Sequence, residues 1–175
     1  MRLLEDEIMK QLITITDKDI TGSDNLSSAK PRIAVGVVLF DSDKDIALYY
    51  GENWGLYTLP GGGVEEGEDL LTAAKREMWE ETGCRCEITG EIGVVYENRS
   101  EHDFTQEKYH FKAKVIGEKG ELHLTEKELA SNATICWFPP EKALKIIESQ
   151  QPATYQQRFI RKRDVAVLKE VITFI

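Results

Sequence analysis

Glu77, Glu80 and Glu81 stand at i, i+3 and i+4, the spacing that brings three carboxylates onto one side of a single helical turn. Like charges this close oppose each other, so a cation is the simplest explanation of the cluster. Oxygen donors with no cysteine or histidine among them favour Mg²⁺ or Mn²⁺ over zinc. The competing reading is a solvated glutamate-rich face relieved by Lys75 and Arg76. The surroundings favour the metal: Pro60, Gly61, Gly62 and Gly63 come just before the helix, and Glu68 stands at its mouth.

The elements that must position these groups are encoded in the same stretch. Leu71, Ala74 and Met78 recur at helical spacing on roughly the opposite face, so the turn that hides an apolar stripe displays the acids. The helix is expected to start near Glu68 or Asp69, where acids complement its positive end, and to close at Gly83 in a left-handed cap. In the preceding turn the missing side chains let backbone approach a ligand closely, with carbonyl oxygens as extra hard donors.

The segment resembles the signature of the Nudix hydrolases, a glycine, five residues, Glu, seven residues, Arg-Glu, an aliphatic, one residue, Glu-Glu, one residue, Gly and a final aliphatic. Gly62, Glu68, Arg76, Glu77, Met78, Glu80, Glu81, Gly83 and Cys84 fill those places. Only the last departs, with a thiol that packs as a small hydrophobe. The resemblance implies a Nudix-type α/β/α sandwich with a mixed sheet, and metal-dependent hydrolysis of a nucleoside diphosphate linked to another group by water attack at phosphorus. It implies Glu80 and Glu81 as principal metal ligands with the Gly61 carbonyl contributing. Glu77 would orient or deprotonate water, or bind a further ion through water. Arg76 would hold the glutamates by charged hydrogen bonds, and Glu68 would close the far side of the loop. The catalytic set is thus Glu77, Arg76 and Glu80, within a motif spanning 62–84.

A chain of 175 residues suits one domain, able to bury roughly 70% of its unfolded surface without disulfides. Residues 1–31 are expected to be an N-terminal extension carrying an extra strand in QLITIT, with the Nudix domain over 32–175. The net charge of −9 argues against general affinity for nucleic acid or anionic membranes, so nucleic acid is an unexpected partner and a small nucleotide the expected one. The opening MRLLEDEIMKQL is short and charged, unlike a signal peptide or a membrane span, which points to the cytoplasm. By the resemblance, the N-terminal segment could also pair with a second copy in a homodimer. Cys84, Cys86 and Cys136 lack zinc-site spacing; the first two read as small residues sharing a strand face.

Along the chain, Ile33–Phe40 and Ile46–Tyr50 read as a hairpin across DSDKD, followed by short Leu56–Leu59 and then strands at Cys86–Glu97, Tyr109–Val115 and Ala133–Phe138. Tyr109–Val115 alternates as a half-buried strand. Helices are expected at Pro139–Ser149 and from about Thr154 to Phe174. The order is that of an α+β or mixed α/β fold.

Further candidates carry weighed readings. Glu126 and Glu128, in an expected loop, are candidate extra acids for the metal or simply solvated; Glu101, Asp103 and Glu107 compete for that place. Arg158, Arg161, Lys162 and Arg163 read as a solvated helix face before a phosphate site. His102, His110 and His123 lack ligand spacing, and Trp54 and Tyr57 could stack on a base or pack a hairpin. The leading function is a pyrophosphohydrolase acting on a nucleoside triphosphate or nucleotide sugar. The alternatives are a non-catalytic nucleotide-sensing module and a decapping-type RNA 5′-end hydrolase.

Overall fold

The continuous apolar run from Ile33 to Phe40 demands cover on both faces, the pattern of a strand at the centre of a sheet. The computed structural model describes residues 9–124, 126–129 and 132–174, and for residues 127 and 128 the backbone alone. Its elements run β1 (Gln11–Ile15), α1 (Asp17–Ile20), β2 (Arg32–Phe40), β3 (Ile46–Gly51), β4 (Leu56–Thr58), α2 (Leu70–Thr82), β5 (Arg85–Arg99), β6 (Phe104–Ile116), α3 (Glu126–Leu129), β7 (Ala133–Phe138), α4 (Pro140–Ser149) and α5 (Tyr155–Thr173).

The strands form one mixed sheet in the order β1-β5-β6-β2-β3-β4, with β7 on β3. β1 runs parallel to β5 and β2 parallel to β6, while β5 and β6 pair antiparallel over nearly their whole length. Side-chain alternation sends β2 residues Val35, Val37 and Leu39 towards α2, where they meet Ala73, Ala74, Met78 and Phe111. Val38 faces the other way into a second core with Ile15, Val95, Ile147, Phe159 and Leu168 beneath α4 and α5. The result is an α/β/α sandwich with a mixed sheet.

The expected β2–β3 hairpin forms across the turn, but its pairing is short. Those strands meet at the single pair Phe40 and Ile46, and β3 turns away to pair with β4 and β7. The edge of β2 left by that departure is taken by the glycine turn itself. Val35 N–H donates to Gly62 O at 2.9 Å, Val37 N–H to Pro60 O at 3.0 Å, and Val64 N–H to Ile33 O at 3.0 Å. β2 therefore needs a partner, and its partner is the segment that precedes the acidic helix. The expected loop around Glu126 also differs, because the short helix α3 covers it.

The half-buried alternation expected for β6 holds from Phe111 to Val115, where Lys112 is part-exposed and Lys114 exposed, but not in the residues before it. There the polar residues Gln106, Lys108 and His110 are 4%, 6% and 0% exposed because α5 lies over them. Arg163 is likewise buried, not on a solvated face. It stands four residues from both Phe159 and Val167, which anchor the inner stripe of α5.

At the edge, Gly93 lets β1 dock. Its φ is 152°, and a Cβ there would stand 2.6 Å from Leu12 Cγ and from Lys10 O. Gly93→Ala is expected to loosen β1, destabilising the fold by about 1–3 kcal/mol. Amide exchange would speed up over residues 11–15 and stay slow in β2 and β6.

Candidate active site

α2 begins where Asp69 caps it, accepting from Thr72 N–H and Thr72 Oγ1, each at 2.8 Å. It ends at Gly83, whose φ of 67° allows the left-handed cap and whose N–H donates to Trp79 O at 3.1 Å. Within these limits Glu77 and Glu81, one turn apart, lie on the inner side at 4% and 8% exposure. Glu80 sits at the rim with 24% of its side chain exposed.

Arg76 ties the groups together. Its Nε and Nη2 donate to the two oxygens of Glu68 at 2.9 Å each, a bidentate pair. Nη1 donates to Glu77 Oε1 at 2.8 Å and Glu80 Oε2 at 3.1 Å, and Nη2 also reaches Gly63 O at 2.9 Å. Hydrogen bonds from Arg76 hold the Glu68 carboxyl below the usual carboxylate range. The bonds it donates to Glu68, and then to Glu77, hold the guanidinium firmly protonated. Gly61 N–H donates to Glu81 Oε2 at 2.6 Å.

The glycines are needed where they stand. Gly61 has a φ of 140°, and a Cβ there would overlap Val35 O; at Gly62 it would overlap the Glu77 carboxylate. The motif residues Gly61, Gly62, Glu68, Arg76, Glu77, Glu80, Glu81 and Gly83 thus fall within one loop and one helix.

Among the described residues, no three carboxylate, imidazole or thiol groups converge closely enough to form a metal cluster. The donor chemistry nonetheless fits a hard divalent cation. Carboxylates of Glu77, Glu80 and Glu81 lie on one helical turn, and the Gly62 position leaves no side chain between Glu77 and the backbone.

The later candidates separate. The chain after β6 is stitched to the end of α2 by Gly120 N–H to Gly83 O at 3.1 Å and His123 N–H to Glu80 O at 2.8 Å. His123 also stacks on Trp79 with ring centroids 4.1 Å apart. Glu126 lies three residues further on, at the exposed start of α3, a reach of about 10 Å of extended chain. The side chain of Glu128 lies outside the described residues. Ser27 Oγ donates to Asp103 at 2.7 Å and Tyr109 OH to Glu107 at 2.9 Å. Glu101 is exposed. Tyr57 packs between Tyr50 and Phe138, while Trp54, beside Tyr49, is 51% exposed.

Sequence reasoning passed over the buried charges on the far side of the turn. Glu97, Arg99, Lys108, Arg163 and Asp164 are all under 7% exposed. Burial pushes the Glu97 carboxyl up, yet Arg163 and Arg99 outweigh it and the group sits below its usual range. Burial, and then the charge of Arg163, push the Lys108 ammonium down to about 8. Burial, and then Lys108, hold His110 neutral well below the usual imidazole range. The available signal was ionisable residues at i and i+2 in two strands, Glu97 with Arg99 and Lys108 with His110, where an inward face was expected.

Glu68→Gln is expected to cost about 1–2 kcal/mol near neutral pH through the weakened charged pair. A depressed carboxyl adds stability that is complete above its unfolded value, about 4.3, and fades as pH falls through its folded value. Urea titrations of the two proteins should therefore differ at pH 6.5, with the difference shrinking as pH falls below about 4.3. Arg76→Lys cannot reproduce the fork, and should lower turnover by about 10²-fold or more while retaining the charge.

The chain matches the NUDIX domain over residues 30–159. It is 26% identical over 156 residues to an RNA pyrophosphohydrolase of Novosphingobium aromaticivorans, covering 80% of this chain and 89% of that protein. It is 30% identical over 144 residues to Nudix hydrolase 25 of Arabidopsis thaliana, covering 72% and 82%. Among solved structures, a MutT NUDIX hydrolase from Burkholderia pseudomallei aligns with a TM-score of 0.56 at 23% identity, covering 77% of this chain and 98% of that one. Four further RNA pyrophosphohydrolases match at 38–41% identity over 61–66 residues, 37–41% of their own length. These relatives overturn the expectation that nucleic acid is an improbable partner. Net charge sums the whole surface, whereas a terminal phosphate chain is met by a few local groups, so the one does not predict the other. No helix among the described residues is long and apolar enough to cross a membrane. By its family match and its fold, the chain belongs to the Nudix family of hydrolases.

Proposed function

We propose that this protein is a divalent-metal-dependent pyrophosphohydrolase, cleaving a phosphoanhydride bond of a nucleoside-diphosphate-linked substrate by attack of water at phosphorus. The observation that supports it best is the single guanidinium of Arg76 within 3.1 Å of Glu68, Glu77 and Glu80 together, with Glu81 bound to the turn through Gly61. Glu80 and Glu81, with Glu77 and the Gly61 carbonyl, are the groups that would hold Mg²⁺ or Mn²⁺. When bound, such a cation offsets phosphate charge and makes water a stronger nucleophile near neutral pH. Glu77 is assigned to orient the attacking water and receive its proton. Arg76 keeps the carboxylates aimed, and Glu68 keeps Arg76 in place.

The leading substrate class is a free nucleoside triphosphate or a nucleotide sugar. A second reading, the 5′-triphosphate end of RNA, is favoured by the five RNA pyrophosphohydrolases among the relatives. Triphosphates of both kinds present the same anhydride to the site, and they differ in the chain attached beyond the first nucleotide.

Hydrolysis with magnesium or manganese should appear with at least one substrate class, read as pyrophosphate or phosphate from nucleoside triphosphates or 5′-triphosphorylated RNA, as nucleoside monophosphate and sugar phosphate from nucleotide sugars, or as two nucleotides from dinucleoside polyphosphates. Turnover of RNA together with poor use of free triphosphates selects the second reading. No turnover on any of them leaves a nucleotide-sensing module and overturns the proposal. Glu81→Gln should reduce turnover by about 10²–10³-fold while the melting temperature and circular dichroism stay close to the parent. Retained activity would remove Glu81 from the site.

A further inference from the structure

The family match stops at residue 159, yet α5 continues to Thr173. That overhang carries Arg163 and Asp164, which are 5% and 0% exposed. Burying an ion pair is costly unless every partner is supplied, and apolar residues of similar volume often give equal or better stability. Here the partners are supplied, and they lead to the glycine turn.

Asp164 Oδ2 accepts the N–H of Leu59 at 2.9 Å, in a fully buried bond. Its other oxygen accepts from Arg163 Nε at 2.8 Å. Arg163 Nη1 donates to Glu97 Oε1 at 3.1 Å, and Arg99 Nε donates to Glu97 Oε2 at 2.8 Å. Leu59 lies just past the end of β4, so its N–H has left the strand ladder. The next residue is Pro60, which has no N–H, and its carbonyl accepts from Val37 at 3.0 Å. Then comes Gly61, whose N–H meets Glu81 at 2.6 Å. Two residues of chain thus separate a bond to α5 from a bond to α2. The turn is held from both sides of the sheet by carboxylates accepting from its backbone.

We propose that Asp164 is a positioning residue, fixing Leu59 and through it the Gly61 backbone opposite Glu81. This rests on the reading of Glu81 as a metal ligand given above. Arg163, itself held by Glu97, serves it in turn by fixing the orientation of the Asp164 carboxylate within the layer under α5. Loss of the anchor lets the turn shift along β2, and a displacement of about 1 Å at a site of this kind is enough to cost about 10²-fold in rate.

Three variants separate positioning from bulk stability. Asp164→Leu removes both acceptors, and Asp164→Asn keeps one carbonyl for Leu59 while dropping the charge facing Arg163. Val167→Ala thins the core one turn along the same helix, where Val167 is fully buried, and leaves every hydrogen bond to the turn in place. Each is measured well below its melting temperature for kcat and KM, for Mn²⁺ uptake by calorimetry, and for amide exchange at Leu59 and Gly61. Asp164→Leu is expected to lower kcat and weaken Mn²⁺ uptake by about tenfold or more, with faster exchange at both amides. Asp164→Asn should fall between it and the parent. Val167→Ala should lose melting temperature while keeping kcat, Mn²⁺ affinity and the protection of both amides.

If Asp164→Leu does not fold, Asp164→Asn decides on the same readouts. Unchanged exchange at Leu59 and Gly61 in the folded Asp164 variants overturns the proposal, as does loss of activity in proportion to melting temperature across all three. Absence of Mn²⁺ uptake by the parent would instead count against the metal reading, while the exchange data would still decide whether Asp164 anchors the turn.

Discussion

Three carboxylates on one helical turn repel, and the guanidinium of Arg76 is the group that makes the arrangement tenable. Its five donors form a rigid planar fork, which matches a bidentate carboxylate on one side and leaves the remaining N–H groups for Glu77, Glu80 and the Gly63 carbonyl. A lysine would supply equal charge at one point and could not hold five oxygens at once. The same residue joins the loop before the helix to the helix itself, because Glu68 and Gly63 lie upstream of α2 and Glu77 and Glu80 lie within it. Charge balance and loop geometry are therefore one interaction, which explains why residues so far apart in the chain have to occur together.

That bracket works only if the turn has a fixed height against α2, and the sheet sets it. β3 leaves β2 after one pair, and the exposed edge of β2 recruits Pro60, Gly62 and Val64 as hydrogen-bond partners. Backbone register is hard to slip once one face is buried, because a one-residue shift turns every side chain over. The bulk of the fold, with apolar cores on both faces of β2, serves to hold that register. Gly61 and Gly62 are then required by contact with Val35 and Glu77, not by flexibility.

The parts of this arrangement that were legible in the sequence share one property: their partners lie close along the chain. Asp69, Gly83 and the acids between them reveal a capped amphipathic helix because capping and i, i+4 spacing are local physics. Most strands were legible for the same reason, through alternation and turn residues. What stayed hidden depends on distant partners. Arg163 shares the helical stripe of Phe159 and Val167, but a charge on that stripe makes no sense until Glu97 is placed across from it. The shortness of the β2–β3 pairing stayed hidden because alternation reports that strands exist and says little about how far their edges pair. The inference from a net charge of −9 to an aversion for nucleic acid failed on scale, since a whole-molecule sum says little about a pocket a few ångströms across.

The two faces of the sheet then have different tasks at the same place. On the α2 side, carboxylates stand where oxygen donors can serve chemistry, and their charge is met by Arg76 at the rim of the helix. On the α5 side, Glu97, Arg99, Arg163 and Asp164 form a closed set in which every charge has an opposite neighbour. A closed set of this kind resists movement, because displacing one member leaves another charge buried without its partner. Placing such a set behind a glycine-rich turn offsets the freedom that glycine would otherwise give it. The turn can then present bare backbone to a phosphate chain and still keep one conformation, a combination that neither the glycines nor the acidic helix provides alone.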